Sequence, residues 1–252
     1  MLKKRIAARI DIKNEFVIKG IHLEGLRKVG NPNEMAKCYY DQGIDEIFFM
    51  DAVAAYYDRN SLGEIISKAT KDVFVPITVG GGIRTIDDIS IALGSGADKI
   101  AINTQAVKTP EIIKHASRVF GSQCIVASIQ AKKRADNNWE AYIENGREPT
   151  GINVIEWAAE LESLGAGEIM VTSIDQEGTK KGFDIALCHS LANAVSLPVI
   201  ASGGAGKPEH IIDLCSNADI DAIALASVLH YNLSSIKDIK SQLHSEGLDI
   251  RL

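Results

Sequence analysis

Two glycine-rich stretches, one in each half of the chain, offer the plainest chemistry. Gly80, Gly81 and Gly82 close one short β-branched run, and Gly203 and Gly204 close another. Glycine lets backbone N–H groups approach an anion with no Cβ in the way. Asn103 and Thr104 end a neighbouring run in the first half, and Ala226 and Ser227 end its counterpart in the second. They add N–H and hydroxyl donors beside each glycine set. A lone glycine pair would mean only a tight turn. Two matching sets, each with a polar neighbour, predict two phosphate cradles and a small molecule with a phosphate at each end.

Carboxylates stand at similar positions. Asp11 ends the first run, Asp51 ends the second, and Asp175 follows the sixth. Such a group acts as a general acid or base when its surroundings shift its pKa, and otherwise braces Lys13, Lys19 or a loop N–H. Asp11 is the first candidate for proton transfer. Lys19 lies in a long connection, Lys13 to Asn31, that exceeds normal length and reads as a lid with Gly20, Gly25 and Gly30 to let it move. At the opposite ends of the runs, Arg5, Glu46, Lys99 and Glu168 each start one. Two cations and two anions from alternate strands predict a ring of salt bridges, which stabilises that face or gates it for something small.

Metal and cofactor chemistry has no footing in this pattern. His22, His115, His189, His210, His230 and His244 form no HxH or HExxH motif. His230, just past the last run, reads as packing before ligand contact. Cys38, Cys124, Cys188 and Cys215 are far apart, as expected of reduced thiols in the cytoplasm. Net charge is −6, without a basic tract, which argues against nucleic acid as a partner. Ile6 to Ile12 is broken by Arg9 and Asp11, too short and too charged for a signal or membrane span.

The elements that must hold these residues alternate regularly. Short apolar runs cover Arg5–Ile12, Glu46–Asp51, Val75–Val79, Lys99–Ile102, Cys124–Ile129, Glu168–Thr172, Val199–Ala201 and Ala222–Leu225. Each suits a strand buried on both faces. Between them lie helical patterns: Pro32–Gln42, Ser61–Thr70, Ile86–Ser95, Pro110–Phe120, Val154–Leu164, Ile185–Ala194, Pro208–Cys215 and Leu233–His244. Proline opens three of them, as suits a first helical turn. Eight strand–helix units in 252 residues predict an α/β fold, one (β/α)₈ TIM barrel over residues 1–252, rather than an open doubly wound sheet. Tyr39, Tyr40, Tyr56 and Tyr57 read as helix and loop packing, and Trp139 to Tyr142, flanked by Asn137 and Asn145-Gly146, as a small inserted hairpin.

The chain also repeats itself. Ile77-Thr-Val-Gly-Gly-Gly-Ile83 matches Val199-Ile-Ala-Ser-Gly-Gly-Ala205. Asp98-Lys-Ile-Ala-Ile-Asn-Thr104 matches Asp221-Ala-Ile-Ala-Leu-Ala-Ser227, and Arg9-Ile-Asp-Ile-Lys13 matches Ser128-Ile-Gln-Ala-Lys132. The offset, roughly half the chain, predicts two similar half-barrels, about 1–121 and 122–252.

Taken with these motifs, the chain resembles the cyclase subunit (HisF family) of imidazole glycerol phosphate synthase. The resemblance runs the whole length through Leu2-Lys-Lys-Arg-Ile6, Val17-Ile-Lys-Gly20, Glu24-Gly-Leu-Arg27, Thr78-Val-Gly-Gly-Gly-Ile83, Ile102-Asn-Thr104, Phe120-Gly-Ser-Gln123, Gly165-Ala-Gly-Glu168, Thr172-Ser-Ile-Asp175, Gly178-Thr179, Ile200-Ala-Ser-Gly-Gly-Ala-Gly206 and Ala226-Ser-Val228. It implies a glutaminase partner that makes ammonia and docks at the N-terminal face of the barrel, with Asp98 in the docking face. It implies that ammonia passes a gate of Arg5, Glu46, Lys99 and Glu168. The implied substrate is a bis-phosphorylated phosphoribulosyl-formimino aminoimidazole carboxamide ribotide, cleaved and cyclised to imidazole glycerol phosphate and the aminoimidazole carboxamide ribotide of histidine biosynthesis. Gly82, Asn103 and Thr104 match one phosphate site; Gly178, Gly203, Gly204, Ala226 and Ser227 match the other. Asp11 matches one of two proton-exchanging acids.

The second acid position is occupied by Gln130, which cannot titrate. Losing one member of an acid–base pair costs about 10²–10⁴-fold in rate. Arg9 also departs from the family, which tends to have a small or apolar residue there. This combination resembles the paralogues that work with amidotransferases in surface-sugar biosynthesis, an ammonia-channelling role without full cyclase chemistry. A third reading, a phosphate-binding sugar isomerase on the same half-barrel plan, fits the gate residues and Gly178-Thr179 less well.

Overall fold

The computed structural model of the chain describes residues 3–54, 62–136 and 138–251. Tyr56, Tyr57, Ser61 and Asn137 lie outside them.

Eight parallel strands close on themselves: β1 (Arg5–Lys13), β4 (Glu46–Asp51), β5 (Ile77–Gly80), β6 (Lys99–Ile102), β7 (Ile125–Lys133), β10 (Glu168–Ser173), β11 (Val199–Ser202) and β12 (Ala222–Leu225). The ring closes where Arg5–Ala8 of β1 pairs with Ala222–Leu225 of β12, and where β7 pairs with β10 from Glu168↔Val126 to Ser173↔Ala131. Nearly every strand residue is buried, as expected for strands covered on the outside by helices and filled on the inside by side chains.

Alternation sorts the strand side chains into two shells. Outward residues such as Ile6, Ile47, Ile100, Ile125 and Ile169 pack in one large cluster under the helices. Inward residues Ala7, Phe48, Ala101, Val126, Met170, Ile200, Ala222 and Ala224 form a second apolar cluster inside the barrel, with Met50 against it. The strand period of two then fixes the rest. Arg5, Glu46, Lys99 and Glu168 face inward below this layer. Arg9, Asp11, Ser128, Gln130, Thr172 and Ser202 face inward above it.

The described helices are α1 (Pro32–Asp41), α2 (Gly63–Ala69), α3 (Ile86–Gly94), α4 (Thr104–Lys108), α5 (Glu111–Phe120), α6 (Val154–Ser163), α7 (Ile185–Ala194), α8 (Pro208–Asn217), α9 (Ser227–His230) and α10 (Ile236–Ser245). Local chemistry sets their starts. Asn31 accepts from the N–H groups of Asn33 and Glu34 ahead of Pro32, and Thr85 with Asp88 forms a reciprocal capping box. Pro110 is the cap of α5 rather than part of its first turn. Strand β5 begins at Ile77 rather than Val75, because Pro76 has no N–H for the ladder; its carbonyl still accepts from Ile47. No helix among the described residues is long and apolar enough to cross a membrane.

The connection after β1 is not an irregular lid. It is an antiparallel hairpin, β2 (Phe16–Ile21) and β3 (Glu24–Gly30), that continues from β1. The expected second hairpin, β8 (Trp139–Ile143) and β9 (Glu148–Asn153), follows β7 in the same way. Each half of the barrel therefore carries a hairpin after its first strand. They approach each other over the mouth, where Leu23 abuts Gly146.

Candidate active site

The mouth at the C-terminal ends of the strands holds two glycine-walled pockets. The first has a volume of about 100 Å³ and is walled by Gly81, Gly82, Asn103, Thr104 and, toward the barrel axis, Arg9, Asp11, Asp51 and Gln130. Gly81 has φ +97°, and a Cβ there would run into the Asp51 carbonyl. The Asn103 side chain donates to the Tyr142 carbonyl, and the Thr104 hydroxyl accepts from the Glu144 N–H, so the second hairpin roofs this pocket. Arg84, Lys108 and Glu144 also reach it, and Lys108 pairs with Glu144 at 2.9 Å. The second pocket is walled by Gly178, Gly203, Gly204, Ala226 and Ser227. Gly204 has φ +107° and lies against the Gly182 carbonyl, leaving no room for a side chain.

Between the pockets runs a chain of four buried charges, of which Glu177 has no signal in the sequence. Arg9 is 2% exposed, and its Nε donates to Asp11 Oδ1 at 2.9 Å. Its Nη1 donates to the hydroxyls of Thr172 (2.8 Å) and Ser202 (3.2 Å), so the guanidinium reaches from β1 to β10 and β11. Lys19 meets the other Asp11 oxygen at 3.4 Å and pairs with Glu177. Glu177 in turn stands in the wall of the second pocket, close to Gly203. Lys19 thus fastens the first hairpin over the mouth, helped by His22, whose N–H donates to the Glu177 carbonyl and whose Nδ1 lies 3.0 Å from the Ile174 carbonyl.

This chain fixes charge states. Burial alone would raise the Asp11 pKa, but Arg9 and Lys19 outweigh it and hold the carboxyl below its ordinary range. Burial opposes the Arg9 and Lys19 charges too, yet their carboxylate partners outweigh it and both pKa values rise. His230 is 7% exposed, its Nδ1 lies 2.7 Å from the Tyr39 hydroxyl, and burial with the Lys19 charge lowers its pKa to about 4. The imidazole is neutral at pH 7.

Asp175 and Asp51 serve mainly to shape the backbone around the mouth. Asp175 lines neither pocket; its Oδ2 accepts from the Lys133 N–H and so holds the end of β7. Asp51 accepts from the Val53 N–H and shapes the turn beneath Gly81. Among the described residues no three of His, Cys, Asp and Glu are grouped as a metal site.

At the opposite end the four strand-start charges do meet. Arg5 contacts Glu46 at 2.9 Å and Glu168 at 3.0 Å, and Lys99 contacts the same two carboxylates at 3.2 and 3.0 Å. Thr78 adds a hydrogen bond of 2.8 Å to Glu46, which is 1% exposed. Every cation touches both anions, so the ring is closed. Asp98 is exposed at this face, its Oδ2 accepting from the Ile77 N–H, and Phe74, before β5, is 74% exposed there.

Residues 5–235 match the model of the histidine biosynthesis protein family. The chain is 56% identical over 209 residues (83% of this chain, 99% of the relative) to the imidazole glycerol phosphate synthase subunit HisF of Legionella pneumophila. It is 44% identical to the protein of that name from Lactococcus lactis (100% of this chain, 98% of the relative) and 43% identical to that of Methanococcus maripaludis (100% of each). With its closed eight-stranded barrel, the chain belongs to the histidine biosynthesis protein family and, within it, to the imidazole glycerol phosphate synthase subunits HisF.

Proposed function

We propose that the chain is the cyclase-type subunit of an imidazole glycerol phosphate synthase, taking ammonia from a glutaminase partner and delivering it to a bis-phosphorylated ribulosyl-formimino ribotide. The observation that supports this most is an arrangement along one axis. A closed ring of four charges stands at one end of the apolar interior, and two glycine-walled pockets flank the other. A neutral molecule the size of ammonia can cross an apolar layer that stops ions. The glutaminase docks on the ring face, where Asp98 and Phe74 are exposed, and works with this chain in the cytoplasm.

At the mouth the two pockets hold the two phosphates by backbone N–H groups, one at Gly81, Gly82, Asn103 and Thr104, the other at Gly178, Gly203, Gly204, Ala226 and Ser227. The span between them lays the ribulosyl carbonyl over Asp11 and Gln130. Ammonia attacks that carbon, and Asp11, held as a carboxylate, accepts the proton that nitrogen sheds. Gln130 hydrogen-bonds but transfers no proton, so the later protonations fall to water and to Asp11 once charged with its proton.

One observation favours a second reading, in which the barrel conducts ammonia to a different acceptor such as a surface-polysaccharide sugar. Neither Asp11 nor Gln130 holds a proton to give at pH 7. The test is cyclase activity of the purified chain with the ribulosyl-formimino ribotide and ammonium, beside Gln130→Asp. Product from the native chain at ordinary enzymatic rates supports the cyclase. No product from it, with product from Gln130→Asp, gives the site to the second reading.

A further inference from the structure

Gln130 carries an unmet hydrogen-bonding group. Its residue is 7% exposed, and its Oε1 is fully buried with no partner among the described residues. It is the third inward residue of β7, above Val126 of the apolar layer and above Ser128, in the wall of the first pocket. A buried carbonyl oxygen left without a donor costs about 1–3 kcal/mol, so a site that keeps one is built to receive a donor.

The surroundings say what kind of donor. Below lies the apolar layer that includes Ala7, Phe48, Val126 and Met170, an environment that disfavours ions over small neutral molecules. The same wall holds three cations, Arg9, Arg84 and Lys108, and three carboxylates, Asp11, Asp51 and Glu144. Lys19 and Glu177 behind them add one of each sign. These charges balance, so the pocket has little net field to draw in ammonium. The buried charge chain nearby supplies no proton to ammonia either: Asp11 is a carboxylate, and Arg9 and Lys19 grip their protons through their carboxylate partners.

We propose that the Gln130 carboxamide oxygen is a docking point for neutral ammonia at the head of the barrel interior, holding one N–H and leaving the lone pair free. The inference rests on ammonia delivery through the barrel and adds where the nucleophile waits. An amide oxygen suits this task because it accepts without protonating; a carboxylate there would favour ammonium, whose lone pair is spent. In the step that follows, the lone pair forms the N–C bond at the acceptor's carbonyl carbon and the C=O π pair moves to oxygen. The proton lost by nitrogen reaches that oxygen by way of Asp11, and nothing is oxidised or reduced.

The test is an NMR titration of the full chain with ammonium chloride, following the Gln130 side-chain amide and the backbone amides of Ser128 to Ala131. One series is run above the pKa of ammonium and one at pH 6, each with potassium chloride as the matched cation control. The expected result is a saturable shift in the alkaline ammonia series only, absent from the backbone amides in Gln130→Leu. Gln130→Glu moves the response to pH 6 and to potassium. In turnover, Gln130→Leu raises the KM for ammonium up to about tenfold, the worth of one hydrogen bond, and raises the KM of the phosphorylated substrate by less. An equal response to potassium in the native chain, no saturable alkaline shift, or an unchanged ammonium KM in Gln130→Leu overturns the proposal. The shift is read without turnover: a shift with no cyclase product refutes the cyclase reading alone, and product with no shift refutes the docking point alone.

Discussion

Replacing Arg9 by methionine tests the buried charge chain at its densest point. The guanidinium is 2% exposed and makes three hydrogen bonds, to Asp11 (2.9 Å), Thr172 (2.8 Å) and Ser202 (3.2 Å). Breaking a buried ion pair by removing one partner costs about 3–5 kcal/mol, because the other charge is left uncompensated. Two features place Arg9→Met near or below the bottom of that range. Asp11 keeps Lys19 at 3.4 Å, and methionine fills most of the volume while sparing the desolvation of a cation. We expect a loss of about 2–3 kcal/mol at pH 7, read by urea unfolding at an unchanged m-value. The sign of the pH dependence follows from Asp11. Its folded pKa is depressed in the native chain, so the pairing stabilises above the unfolded carboxyl pKa and is lost as pH falls through the lower folded value. Without Arg9 the carboxyl protonates earlier and no longer needs a cation. The gap between the two proteins therefore narrows as pH falls toward the depressed folded pKa of the native chain, below about 4. An equally stable variant at pH 7, or a gap of constant size down to about pH 3, would refute the electrostatic account and leave Arg9 as mere packing.

Two further outcomes follow from the same structure. Lys99→Met opens the ring at the N-terminal end but leaves Glu46 with Arg5 and Thr78, so about 1–2 kcal/mol is lost in urea unfolding rather than the full cost of an orphaned charge; a loss above about 4 kcal/mol would mean the ring acts as one unit. Because the His230 pKa is depressed to about 4, stability declines as pH falls from 6.5 toward that value, by at most about 3 kcal/mol. That slope disappears in His230→Phe, and its persistence would assign it to another group.

The barrel was legible because burial on both faces leaves an unbroken apolar run, and eight such runs with a repeat admit few topologies. The two hairpins show where legibility stops. The second turns at Glu144, Asn145 and Gly146, all with positive φ, and Asn-Gly announces such a turn. The first turns at His22 and Leu23, with φ of 53° and 63°, a left-handed pair that no residue preference signals. Its strand pattern is hidden as well, since Val17, Ile18 and Lys19 are all buried and alternation fails. Lys19 is buried only because Asp11 and Glu177 receive it, and Glu177 comes from a loop 158 residues away. Asp175 and Glu177 lie two positions apart in one loop, and nothing in their order tells which braces a strand end and which pairs with Lys19.

Arg9 and Gln130 read in the sequence as separate oddities, a charge inside a strand and an amide where an acid was expected. In the fold they act on one property. Arg9, tied to residues 163 and 193 positions away, keeps Asp11 unprotonated, and Gln130 has no proton to release. The head of the barrel interior thus accepts hydrogen bonds and protons but donates no proton of its own at pH 7. Attack by ammonia needs only that. Ring closure needs a donor as well, and in this chain it must come from water, from the substrate, or from Asp11 after it has taken a proton from the nucleophile. A site arranged this way favours the amination step over the cyclisation step. Gln130→Asp should therefore speed ring closure without speeding the uptake of ammonia, and equal acceleration of both steps in single-turnover kinetics would show that the proton supply was never limiting.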